Sequence, residues 1–148
     1  MKKRKPVALG WCLALFFCGC QQQPSTFQPD AIEQEYLTLG KGGGVANQVN
    51  TYYILSDGYV YKHSNIAQTY ERLGRLDAEQ RTACFEQAEA IPESAFGYQE
   101  PGNIYYFLSI HTSDTTRSCT WGSQNFAAPE VITTFYQYAQ SLIQNLSL

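Results

Sequence analysis

The chain has 148 residues, 44% hydrophobic, 14% aromatic and 16% charged, with a formal net charge of -3. Four of its ten basic residues (Lys2, Lys3, Arg4, Lys5) precede an apolar run at 7–17, so from Cys20 onward six Lys and Arg face thirteen Asp and Glu, a formal charge of -7. That balance excludes a duplex-binding protein, whose affinity comes largely from Lys and Arg neutralising phosphates, and an acidic membrane surface is equally unattractive to it.

The basic start, the apolar run and the small Gly19 are the three parts of a secretory signal. The run is too short to span a bilayer, which takes about 20 apolar residues. Residues 1–19 are therefore expected to be a cleaved leader. Next comes QQQPSTFQPD at 21–30, polar, with two prolines and no helical or strand period, which is a tether composition. The expected organisation is a leader at 1–19, a tether at 20–32 and one domain at 33–148. A domain of roughly 120 residues can hold its own core without a metal or a dense disulfide set.

Within the domain, 33–39 reads as a strand ahead of a glycine run. Asp57-Gly58 lies between two aromatic and β-branched runs, 51–56 and 59–63, a strong hairpin signal. Residues 69–76 read as a further strand. Asp77 with Gln80 three residues on resembles a capping box, opening a helix to Ala90 before Pro92. A second hairpin, 104–111 and 115–121, is entered through Pro101-Gly102-Asn103. Pro129 starts a second helix whose apolar residues Val131, Ile132, Phe135, Tyr138, Ala139, Leu142 and Leu146 recur every three or four positions. This order predicts an α+β domain: an antiparallel sheet built from two or more hairpins, with two helices packed on one face.

Phe17-Cys18-Gly19-Cys20 resembles the lipobox of bacterial lipoproteins, in which a small residue precedes a Cys that is lipidated and becomes the new N-terminus. The resemblance implies acylation at Cys20. A diacylglyceryl group with an amide-linked chain exceeds the two signals that stable anchoring needs. Gln21 stands where an Asp would imply inner-membrane retention, so the resemblance implies the outer membrane. The glycine run, the Tyr-rich hairpin, EPGNIYYF and Thr120-Trp121-Gly122 look like small uncharacterised envelope lipoproteins of Gram-negative bacteria. That likeness carries no activity and transfers no catalytic residue.

Chemistry-bearing patterns are sparse. Gly40-Lys41-Gly42-Gly43-Gly44 lacks the Ser or Thr, the spacing and the following helix of a phosphate loop, and reads as a hairpin loop or bulge. With Cys20 acylated, Cys84 and Cys119 are the thiols left in an oxidising compartment, so a disulfide between them is expected. With His63 and His111 they lack paired zinc-ligand spacing, and no metal site is assigned. No GxSxG elbow is present. Neither a catalytic residue nor a cofactor is implied.

The expected role is non-catalytic binding to an unidentified envelope protein or glycan, with the membrane engaged through the lipid. If Asp57 and Gly58 form a two-residue turn, Ile54 pairs with Tyr61 and Tyr52 with His63. The helix-free side of the sheet then carries Tyr52, Tyr59, Tyr61, Tyr105 and Phe107 as the candidate binding surface. Two other classes remain open: an inhibitor or regulator of an envelope hydrolase, acting through the glycine loop or 95–103, and an envelope hydrolase itself. These need, respectively, a protruding ordered loop and a concave pocket with perturbed carboxylates or His.

Overall fold

The computed structural model describes residues 27–146. The segment 17–20 expected to be a lipobox lies outside them, as does the expected leader. The elements are β1 (Tyr36–Gly43), β2 (Asn50–Leu55), β3 (Tyr59–Ser64), β4 (Thr69–Arg75), α1 (Ala78–Glu89), β5 (Gln99–Glu100), β6 (Ile104–His111), β7 (Thr116–Trp121) and α2 (Glu130–Leu146). Short 3-10 turns occupy Pro29–Ala31 and Glu93–Ala95. All strands join one sheet in the order β4-β3-β2-β1-β6-β7-β5. Its pairs are antiparallel except β5 with β7. The chain is α+β, with a sheet larger than two hairpins.

Local chemistry accounts for the helices. The Asp77 carboxylate accepts from the Gln80 amide at 2.8 Å and the Gln80 side chain accepts from the Asp77 amide at 3.2 Å, closing the capping box. At the other end α1 has no basic residue in its last turn. Arg117 of β7 supplies one, donating to the Ile91 carbonyl at 2.6 Å and the Ala88 carbonyl at 3.3 Å. In α2 the three-and-four spacing buries Ile132, Phe135, Ala139 and Leu142, and also Tyr136 and Ile143. Val131, one of the recurring apolar residues, is exposed.

Alternation along the strands sorts two faces. The first carries Leu37, Leu39, Ile54, Val60, Leu108 and Cys119, which join Cys84 and Ala88 of α1 and Ile132 and Ala139 of α2 in one buried cluster. Tyr136 of α2 donates its hydroxyl to the Gly40 carbonyl at 3.0 Å. Its ring meets Tyr106 and Trp121 edge-on.

The first hairpin is one residue longer in the turn than expected. Ile54 faces Val60, Tyr53 faces Tyr61 and Tyr52 faces Lys62. The Gly58 amide closes on the Leu55 carbonyl at 2.8 Å and Gly58 sits at φ +93, the left-handed step that ends a three-residue hairpin loop. A one-residue slip exchanges faces along the strand. Tyr52 is therefore corrected to the first face, where it packs against the buried cluster, and Tyr53 takes the second.

The expected bond between Cys84 and Cys119 is not formed, and both thiols are free and buried. Each fills the place of a small hydrophobic residue. Burial pushes the Cys84 thiol up to about 12. Cys119 Sγ lies 3.9 Å from the Leu108 carbonyl oxygen, its partner across the second hairpin.

Candidate functional site

The second face carries four of the five expected aromatics. Tyr59, Tyr61, Tyr105 and Phe107 are all half-buried. They form two groups rather than one, because β2 and β1 lie between β3 and β6.

The first group is covered by the chain's own N-terminal segment. Phe27 stacks on Tyr61 at 4.0 Å between centroids and meets Tyr53 and Tyr70 edge-on, each at 5.3 Å. Burial, followed by the neighbouring Tyr70, raises the pKa of the Tyr53 phenol. The Gln34 side chain accepts from the Ser56 hydroxyl at 2.9 Å. Leu55, which points to this face, is only 5% exposed beneath the segment. The tether expected to reach residue 32 is thus held to the sheet from Phe27 onward. Tyr59, at the margin, lies under the guanidinium groups of Arg72 and Arg75, 5.4 and 5.0 Å from its ring centre.

The second group has no such cover among the described residues. Gly40 and Gly42 of β1 face Phe107 and Tyr105 of β6. Their rings lie across β1: a Cβ on Gly42 would fall 2.5 Å from Tyr105 Cζ, and one on Gly40 2.5 Å from Phe107 Cζ. The glycine run is therefore partly a floor for two rings, a close approach only glycine permits. Further along β1, Tyr36 stacks on His111 at 4.1 Å and 7°. His111 Nε2 and Nδ1 sit 3.4 and 3.1 Å from the Thr38 and Thr116 hydroxyls. Burial lowers the His111 pKa, which favours the neutral ring. Register also aligns Thr38, Ser109 and Ser118 in one row. The result is a surface of rings and hydroxyls without a Lys, Arg, Asp or Glu among these residues.

Two concave sites lie elsewhere on the domain. A groove of about 460 Å³ between α1 and the start of α2 is lined by Gln87, Ile91, Val131 and Phe135, with Glu130 as its one carboxylate. A smaller one of about 110 Å³ beside His111 includes Glu35, Glu89 and Arg117, yet the imidazole meets two threonine hydroxyls rather than an orienting carboxylate. Among the described residues no group of three His, Cys, Asp or Glu could hold a metal ion, and no helix is long and apolar enough to cross a membrane. His63 stacks on Tyr70 at 4.4 Å.

The β1–β2 loop does protrude. Val45 at its tip is 108% exposed. The loop is nonetheless braced: the Gly44 amide donates to the Asn103 carbonyl at 2.8 Å, and Asn65 of the β3–β4 loop bridges the Asn47 carbonyl and the Val49 amide at 2.9 and 2.7 Å. Segment 95–103 is likewise pinned, its Gly97 amide donating to the Ser118 carbonyl at 2.9 Å.

Sequence reasoning missed Phe27, Tyr53, Tyr70 and the Tyr36–His111 stack. Phe27 did give a signal, as the lone aromatic in an otherwise polar tether. Comparison with known proteins finds no family that matches this sequence and no curated protein that matches it.

Proposed function

We propose that this chain is a lipid-anchored protein of the cell envelope, acylated at Cys20 and held at the outer membrane, whose domain binds a partner rather than performing chemistry. In this reading α1 and α2 both pack on the first face, supported by the cluster they share with Leu37, Leu39 and Leu108. The second face is then the working surface. The observation that carries the proposal is the Tyr105–Phe107 pair, laid over Gly42 and Gly40 and bordered by Thr38, Ser109 and Thr120. Rings fixed in place offer large contact area at low entropic cost, and neighbouring hydroxyls supply hydrogen bonds. That combination suits an uncharged patch on an envelope protein or a glycan.

The test is a photo-crosslinking residue in place of Phe107 in intact cells, compared with one at Asp114. Capture of a defined partner at 107 and not at 114 is the expected result. Capture that is the same at both positions, or absent at 107, would overturn the binding role of this face. A second reading, inhibition of an envelope hydrolase, is favoured by the exposure of Val45 on a braced loop. Capture of a hydrolase from position 45, with none from 107, would select it.

A further inference from the structure

Four large hydrophobic side chains are exposed among the described residues, and three of them, Val45, Ile66 and Ile104, belong to one end of the sheet. Register places them there. Gly43 pairs with Ile104, Lys41 with Asn50, Asn50 with Ser64 and Ser64 with Thr69, so the β1–β2 loop, the β3–β4 loop and the start of β6 leave the sheet on the same side. Segments 42–50, 63–70 and 101–104 contain no Lys, Arg, Asp or Glu. Such an end is unusual in a chain whose charge from Cys20 onward is -7. The Asn65 side chain ties the two loops together, so Val45 and Ile66 are presented by a braced unit.

A second observation concerns where the N-terminal segment goes. Tyr36 begins β1 at the opposite end, paired with Leu55 and His111. Read backwards from there, the chain passes Ser56, where Gln34 is bonded, and recrosses the second face to Phe27 among Tyr53, Tyr61 and Tyr70. Tyr70 is the second residue of β4, whereas Tyr53 and Tyr61, in one row with Thr38, lie nearer the Tyr36 end of the sheet. From Phe27 to Cys20 is a seven-residue step, about 25 Å at full extension.

We infer that the uncharged end, through Val45, Ile66 and Ile104, rests on the lipid surface. The inference rests on acylation of Cys20 and adds to it an orientation. Phe27 holds the chain at mid-sheet, over Tyr61 and beside Tyr53 and Tyr70, from where a seven-residue tether is long enough to reach the exposed aliphatic end. Charge agrees with it: an acidic domain is repelled least from an anionic leaflet where its carboxylates are fewest, and these three segments hold none, though Glu71 and Glu100 flank them. Aliphatic tips that are unfavourable in water gain by entering the headgroup region. The second face then stands upright on the membrane, free to meet a partner alongside.

The test uses the full chain, processed and acylated, in phosphatidylcholine vesicles containing doxyl-labelled phosphatidylcholine. Single cysteines at Val45→Cys, Ile66→Cys and, at the far end of the sheet, Asp114→Cys carry an environment-sensitive fluorophore. Cys84 and Cys119 are buried and stay unlabelled. The expected result is several-fold stronger quenching at 45 and 66 than at 114, with blue-shifted emission at the first two. Protein that floats with the vesicles while 45 and 66 report water, as they would at a protein-binding end, overturns the orientation and leaves the anchor standing. Protein that fails to float removes both.

Discussion

Gly42 and Gly40 look alike in sequence and are expected to fail differently when replaced by alanine. The three atoms nearest a Cβ on Gly42 all belong to the Tyr105 side chain, two of the ring and the hydroxyl oxygen, at 2.5 to 2.9 Å. Gly42→Ala must lift that ring, exposing roughly 50 Å² of apolar surface, which at about 25 cal/mol per Å² is about 1.3 kcal/mol. Tyr105→Ala loses the same contact first, and in that background Gly42→Ala has nothing to displace. The double-mutant cycle should show a coupling of about 1 to 2 kcal/mol, read by urea unfolding with Trp121, the one tryptophan after residue 19. At Gly40 the added Cβ would overlap the Asn50 carbonyl oxygen of the neighbouring strand as well as Phe107. Backbone cannot swing aside, so Gly40→Ala is expected to cost more than about 2 kcal/mol and Phe107→Ala should not rescue it. Additive effects at Gly42 and Tyr105, within about 0.5 kcal/mol, would refute the idea that the glycines are a floor for the rings.

Other consequences follow from named contacts. Arg117→Ala removes two charge-assisted bonds to the end of α1 and should cost about 2 to 3 kcal/mol, with faster amide exchange at 86–91; Glu93→Gln should change stability by less than about 0.5 kcal/mol, because that carboxylate is 80% exposed and 3.7 Å from the guanidinium. Burial holds the His111 pKa below its unfolded value of about 6.5, so its contribution is present above that pH and is lost as pH falls through the lower folded value; His111→Gln should flatten this part of the pH–stability profile. Tyr136 behaves oppositely: burial raises its phenol to about 12, its contribution is complete below about pH 10 and is lost as pH rises through 12, and Tyr136→Phe should cost about 1 kcal/mol at neutral pH. Denatured, unreduced protein lacking the leader should release two titratable thiols, Cys84 and Cys119, that are silent in the folded state; no thiols on denaturation would restore the disulfide.

The periodic elements were legible because their signals are local. Asp77 and Gln80 sit three apart, and the α2 spacing repeats over several turns. The first hairpin shows where local reading stops. Asp57-Gly58 serves a two-residue turn and a three-residue loop equally well, and the choice between them decides whether Tyr52 or Tyr53 reaches the second face. Tyr105 and Phe107 share a face whatever the turn type, because their alternation within one strand needs none. The glycine run reads as a hairpin loop or bulge, yet residues 40–43 lie within β1, and their use as a floor depends on β6 lying beside β1, a pairing distant in sequence. Phe27 and Arg117 belong to the same class. One binds the tether to a sheet 34 residues further on, at Tyr61, and the other completes α1 from a strand beyond it.

Anchoring at Cys20 is the premise on which location and orientation both depend, and the mass of the N-terminal peptide from envelope-extracted protein tests it directly. The expected species begins at Cys20, lacks residues 1–19 and carries a diacylglyceryl group with an amide-linked acyl chain; Cys20→Ala should abolish both the lipid and detergent-phase partitioning. A peptide that begins elsewhere without lipid, or a Cys20→Ala protein still processed and membrane-bound, would contradict the account.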